Sequence, residues 1–461
     1  MADERCFESA SWMAAAIRDG RASSAEITAA CLDRIEAVNP RLNAVVRLAG
    51  DAVDRAREAD AELAAGRRRG PLHGVPFTIK DSLDTAGLVT TAGTVGWRDR
   101  VPARDATVVA RLKAAGGILL GKTNTPEFTW SDETDNDVYG RTSNPWDLER
   151  TPGGSSGGAA AIVAAGGSPF DIGSDTGDSI RQPAHVCGIA GLKPTSGRVP
   201  RTGHWPGFEG LFQSFTQLGP LARRVEDLEL LLPIIAGPDG EDPHVAPVEL
   251  AHPAAVRVER LRVVTFGDNG IRRPTPATIE AVRAAAHAFE ALGAEVEEQV
   301  PPGLEEAWEV WDGLIRADGF AWLERLISGA GTPGFGSYET RDWVTRGEPL
   351  RADALTALIE RADAIRGRLL VWLGGVDLIV CPAMPRPAIR HGESSKAWFG
   401  DTYSDVHNLT GWPAAVVRGG TSPEGLPIGV QLVGPPWRED IVLAGARVVE
   451  AASGGWIRPP I

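Results

Sequence analysis

Lysine is rare in this chain: of 47 basic residues only Lys80, Lys113, Lys122, Lys193 and Lys396 are not arginine. A desolvated lysine can lose its proton at neutral pH, whereas arginine effectively cannot, so each of the five invites a chemical reading. Lys80 ends the run Val75-Pro76-Phe77-Thr78-Ile79, whose apolar side chains would favour a neutral amine fit to act as a base. Taken by itself, Lys80 reads first as a surface lysine paired with Asp81 or Asp84. Lys122 completes a second pattern, Gly116-Gly-Ile-Leu-Leu-Gly121-Lys122-Thr123, which matches the phosphate-loop motif letter for letter. That motif needs a strand before it and a helix after it. Here a helical stretch comes first, the loop interior is aliphatic and Pro126 follows, so nucleotide binding is not expected. Gly153-Gly-Ser155-Ser-Gly157 fits the nucleophile elbow of Ser-His-Asp hydrolases. No strand precedes it in the polar segment Asn144 to Arg150, and His185, His204, His287, His391 and His407 sit in no informative motif. An esterase with Ser155 as nucleophile stays open as an alternative.

The remaining constellation is longer and more specific. It comprises Lys80 after its strand, then GGSSGGAAAIVAAGG from Gly153, GSDTGDSIRQPA from Gly173 and CGIAGLKPTSGRVP from Cys187. On these stretches, together with HGVPFTIKDSLDTAG, GKTNTPEF and GLPIGVQLVG, the chain resembles the amidase signature family over nearly its whole length. The resemblance implies that Ser179 is the nucleophile, Ser155 a bridging serine after a cis peptide bond, and Lys80 the base, with Ser156 in support. It implies an oxyanion hole built from the backbone N–H groups of Thr176, Gly177, Asp178 and Ser179, with Asp175 and Arg181 holding the turn. The chemistry is coherent: an alcohol becomes a useful nucleophile only when its proton is taken as it attacks, and fixed donors must meet the charge that develops. One position departs from the pattern: Asp178 stands where the family has glycine. Its carboxylate is expected to point away from the oxyanion, on a backbone open to non-glycine residues.

The implied activity is hydrolysis of an amide, or of a related ester or carbamate, through an acyl-enzyme, with no metal or organic cofactor. Phe128 and Trp130 lie where the family has a substrate wall. Trp205, Phe208, Phe212, Phe215, Trp308, Trp311 and Trp322 suit either a pocket for a bulky or aryl substrate or ordinary core packing. Aryl amides, linear oligomer amides and urethanes all fit. A rival is the glutaminase subunit of a tRNA-dependent amidotransferase, which shares the signature. Residues 335–349, FGSYETRDWVTRGEP, do not resemble the helical segment that such subunits carry.

These residues need elements to position them. Ser23-Ser24-Ala25-Glu26 has capping-box spacing ahead of Ile27, Cys31, Leu32 and Ile35, which predicts a helix. Further helices are expected over 51–65, 105–115, 275–300, 304–328 and 350–373, with strands at 75–79, 118–120, 376–381 and 428–433. Alternating strands and helices predict an α/β protein with a sheet covered by helices. No composition break divides the chain into more than a single domain, 1–461, and the resemblance implies that the central sheet is mixed and covered on both faces. Its signature core would span about 71–225 and its variable pocket region about 205–400.

The totals bound the function. A net charge of −14 argues against nucleic-acid binding, which gains most of its affinity from cations on phosphates. Arg67-Arg68-Arg69 reads as a solvated loop. The four cysteines form no CxxC pair, so neither a zinc site nor a disulfide scaffold is expected. The first twenty residues hold no continuous apolar run, and no stretch approaches a membrane span. A cytoplasmic enzyme, monomer or homodimer, is the expectation.

Overall fold

The computed structural model describes residues 3–207, 209–333, 347–394 and 403–461. Two sheets share the strands that matter. The smaller contains β1 (Val45–Leu48), β2 (Pro76–Lys80) and β3 (Ile118–Thr123) in the order β1-β3-β2, with β2 parallel to β3 and Lys80 opposite Thr123. The larger contains β4 (Phe170–Asp175), β5 (Ala190–Lys193), β6 (Gln217–Ala222), β7 (Arg262–Thr265), β8 (Glu295–Glu298), β9 (Leu378–Pro382), β10 (Ala414–Thr421) and β11 (Pro427–Val433). Its order is β4-β6-β5-β10-β11-β9-β7-β8, and it is mixed: β7 runs parallel to β8 and β9, while the other pairs are antiparallel.

The helices are α1 (Ala10–Arg18), α2 (Ser24–Leu42), α3 (Ala52–Ala64), α4 (Thr107–Ala114), α5 (Gly157–Ala164), α6 (Arg181–Cys187), α7 (Val225–Ile235), α8 (Pro276–Ala291), α9 (Leu304–Ile315), α10 (Ala321–Ala330), α11 (Ala352–Leu373), α12 (Asp405–Leu409) and α13 (Glu439–Ser453). They cover the large sheet on both faces, as the alternation along β10 requires. Ala415 and Val417 join the core that holds Phe289 of α8 and Val442 of α13. Val416 points the other way, into a cluster with Ala160 of α5 and Ala184 of α6. Close approach of α6 depends on glycine: a Cβ on Gly429 of β11 would stand 2.8 Å from His185 Cα.

The sheets meet where β2 packs on β4, the edge strand of the large sheet. Phe77 and Phe170 stack there, ring centroids 5.5 Å apart and 3° from parallel. Both strands are buried throughout. The contact sets the free end of β2, and with it Lys80, beside the end of β4.

The capping box at Ser23 and Glu26 forms as expected. The expected helix over 275–300 ends at Ala291, and Glu295–Glu298 is instead β8, paired parallel to β7. The expected helix over 304–328 is two helices, broken where Phe320 takes a left-handed φ of 65°. The strand expected at 118–120 runs on to Thr123, through the residues of the phosphate-loop pattern. No described helix is long and apolar enough to cross a membrane. Phe208, Lys396 and residues 335–346 lie outside the described residues.

Candidate active site

The bland reading of Lys80 fails. Its side chain is fully buried at the end of β2. Asp81 instead accepts the Thr91 hydroxyl, and Asp84 pairs with Arg100 at 2.7 Å. Lys80 Nζ has three hydroxyl partners: Ser155 Oγ at 2.6 Å, Ser156 Oγ at 2.9 Å and Ser174 Oγ at 3.0 Å. Burial drives the amine well below the ordinary lysine range, while Asp175 and then Asp171 pull the other way.

Ser155 and Ser156 stand just ahead of α5, and the Gly154–Ser155 peptide is cis, as the resemblance implied. Both neighbours of Ser155 are tied to the segment that carries Ser179. Ser156 N–H donates to the Ser179 carbonyl at 3.2 Å, and Gly154 N–H donates to Gln182 Oε1 at 2.8 Å. The packing admits only glycine at key points. A Cβ on Gly154 would lie 2.3 Å from the Ser131 carbonyl oxygen, and one on Gly173 would lie 2.6 Å from Ser156 Oγ.

Ser179 follows β4 on the turn that leads into α6. From Thr151 to Thr195 every residue is buried except Thr176, Gly177, Asp178 and Ser179, so this turn is where the glycine-rich core opens. Asp175 and Arg181 close the turn as a fully buried pair at 2.9 Å. Asp175 also accepts Ile180 N–H at 3.0 Å. Burial alone would raise the Asp175 carboxyl, but Arg181, Lys193 and Asn408 outweigh it and hold it at about 2. Arg181 donates to the Gly177 carbonyl. In a trans peptide the next N–H points opposite to that carbonyl, so Asp178 N–H faces away from the guanidinium. Asp178 is not among the residues with left-handed φ, which meets the expectation for a non-glycine residue there.

The aromatic residues divide. Phe128 is fully buried and meets Trp97 edge-on at 5.6 Å. Trp130 is half-buried and makes edge contacts with Phe212 at 5.9 Å, Trp322 at 6.3 Å and Phe320 at 6.4 Å. Trp311 stands close to the turn, 3.2 Å from where a Gly177 Cβ would be.

Lys122 is buried inside β3 and donates to Thr85 Oγ1 at 2.9 Å and to the Leu83 carbonyl. The hydrogen bonds described for His185, His204, His287 and His391 go to Gly429, Arg386, Pro206, Glu290 and Leu148, not to Ser155. Sequence reasoning missed Ser174, although it lies within the quoted GSDTGDS stretch. It also missed Asn408, which donates to Asp175 at 2.9 Å from far along the chain, where no local pattern marks it.

Comparison with known proteins follows the same lines. The family described as Amidase matches residues 26–443. An acylamidase of Rhodococcus erythropolis is 36% identical over 472 residues, covering 96% of this chain and 95% of that protein. A glutamyl-tRNA(Gln) amidotransferase subunit of Carboxydothermus hydrogenoformans is 35% identical over 467 residues, covering 93% of each. The structure of 6-aminohexanoate cyclic dimer hydrolase complexed with substrate superposes with a TM-score of 0.86 at 31% identity, covering 99% of both chains.

Proposed function

The chain belongs to the amidase signature family and is an amidohydrolase acting on C–N bonds; from that premise we propose that it cleaves amides through an acyl-enzyme on Ser179, with Lys80 as base and Ser155 as relay. The observation that carries this reading is the 2.6 Å contact between Lys80 Nζ and Ser155 Oγ inside a fully buried site. A neutral amine donates two hydrogen bonds and accepts one. Ser155, the shortest contact, is the hydroxyl that presents its proton to Nζ. As Ser179 Oγ attacks the carbonyl carbon, its proton passes to Ser155 and the Ser155 proton passes to Lys80. The N–H groups of the Thr176–Ser179 turn face the oxyanion; loss of one such donor typically costs about 2.7–4 kcal/mol of barrier stabilisation. The proton returns through Ser155 to the leaving nitrogen as the C–N bond breaks. Water then attacks the ester by the same relay, releasing acid and free Ser179.

The wall of Trp130, Phe212, Phe320 and Trp322 supports a bulky apolar or aryl group on the substrate. Aryl and acyl amides are therefore the first class, with carbamates and esters open to the same chemistry. The likeness to the amidotransferase protein keeps a second reading, glutamine hydrolysis within a complex. An aromatic wall is a poor match for a small polar side chain, which favours the first. A panel of aryl amides, oligomer amides, carbamates and glutamine, on wild type and Ser179→Ala, decides between them. Turnover of glutamine alone, with a co-purifying partner, overturns the amidase reading. Full activity in Ser179→Ala removes the assigned nucleophile.

A further inference from the structure

A buried carboxylate lies close to the base and has no part in the relay. Asp171 is on β4, on the same strand face as Gly173, whose backbone packs against Ser156. The Thr123 hydroxyl donates to Asp171 Oδ2 at 3.0 Å, and Thr123 is the residue paired with Lys80 across β2 and β3. The side chain is fully buried, and its other oxygen, Oδ1, makes no well-formed hydrogen bond among the described residues, with the Thr78 hydroxyl near enough only to favour its charge. A buried carboxylate oxygen without a well-formed hydrogen bond is costly and calls for an explanation.

We propose that Asp171 is a positioning residue for the base: seated on the Thr123 hydroxyl, its carboxylate supplies the field that decides how readily the Lys80 amine takes up a proton. This rests on the assignment of Lys80 above. The charged surroundings are few. Lys80 on β2 and Lys122 on β3 face Asp171, and Asp175 on its own strand also acts on Lys80. His204 feels Lys80 and is buried neutral, pushed by burial down to about 3. The other elements packed on β4, namely β6 and α5, carry no titratable side chain. Buried Arg34 and Cys31 of α2, which packs on β2, have their electrostatic partners elsewhere.

The two acids near Lys80 therefore differ. Asp175 stays ionised throughout the working range, whereas burial raises Asp171 to about 7, against the pull of Thr78, Thr123, Lys122 and Lys80. A negative neighbour favours the ammonium, so its removal must make the amine free at lower pH. It also removes the counter-charge that steadies the ammonium formed when Ser179 gives up its proton.

The test is the pH profile of kcat/KM for a reactive aryl amide in wild type, Asp171→Asn and Thr123→Val, with folding checked by thermal unfolding. The acid limb should move to lower pH by roughly half a unit or more in Asp171→Asn, and kcat on the plateau should fall about tenfold. Thr123→Val keeps every charge but removes the donor that favours the carboxylate, so its limb should move the same way by less. Should Asp171→Asn not fold, the Thr123→Val profile decides alone. An unmoved limb, or one displaced to higher pH, overturns the proposal, since loss of packing lowers rates without moving the limb. Labelling of Ser179 by a fluorophosphonate separates the two assignments. If Lys80→Ala still labels at the wild-type rate, the base is wrong. If it does not, and the limbs stand still, only the role of Asp171 falls.

Discussion

At the scale of single residues, the proposed chemistry depends on Lys80 being surrounded by hydroxyls while the strong ion pair is kept one step away. Among the described residues Lys80 forms no ion pair, whereas Asp175 is committed to Arg181, whose guanidinium also donates to Gln431, Ser404, Gly177 and Asn408, and Asn408 adds a second donor to the acid. Asp175 is held at about 2, below its value in an unfolded chain, so it contributes stability that is complete above about pH 4 and is lost as pH falls through 2. Wild type should therefore lose resistance to urea between pH 4 and 2 more steeply than Asp175→Asn does. Asp178 tests the oxyanion turn. Because its backbone does not require glycine, Asp178→Gly should leave kcat within about tenfold, or about 1.4 kcal/mol, in steady-state assays; a collapse would mean the carboxylate takes part. Lys80, Ser155 and Ser179 were legible as candidates because they stand in long ordered motifs. Ser174, Gln182 and Asn408 were not, because a hydroxyl or amide that matters only through its partner has no spacing to betray it.

At the scale of elements, glycines set how closely backbone and side chains approach. Gly173 lies in β4 beside Ser156 Oγ, which in turn touches Lys80 Nζ at 2.9 Å. Gly173→Ala should push that hydroxyl aside, lower kcat and destabilise the fold by about 1–3 kcal/mol of overpacking, read by activity and by the urea midpoint together. Wild-type kcat in that variant would show that Ser156 is not needed where it stands. The same strand shows why sequence reading stopped short. β4 reads Phe-Asp-Ile-Gly-Ser-Asp, with polar residues at half its positions, yet it is buried throughout because Thr123, Lys80 and Arg181 serve those groups. Helices were clearer, since their apolar period survives local detail. The break between α9 and α10 was not, because Phe320 gives no composition signal of its left-handed turn.

At the scale of the whole molecule, the proposed active site is a seam: Lys80 comes from the small sheet, Ser174 from the edge of the large one, and Ser155 from the start of the helix between them. The α/β class was readable from alternation, but not the division into two sheets, which depends on pairings between distant strands. Phe77 on Phe170 closes the seam. Phe77→Ala should cost about 3–5 kcal/mol in chemical unfolding and reduce activity even in the folded fraction, because the seam positions Lys80. The central claim is that a neutral, buried Lys80 draws the proton from Ser179 by way of Ser155. Its most direct test is the rate of acyl-enzyme formation on Ser179 at pH 7 to 8, followed by mass spectrometry in wild type and Lys80→Ala. The structure predicts a loss of about 10²–10⁴-fold in the variant; acylation of Ser179 at the wild-type rate without Lys80 would contradict it.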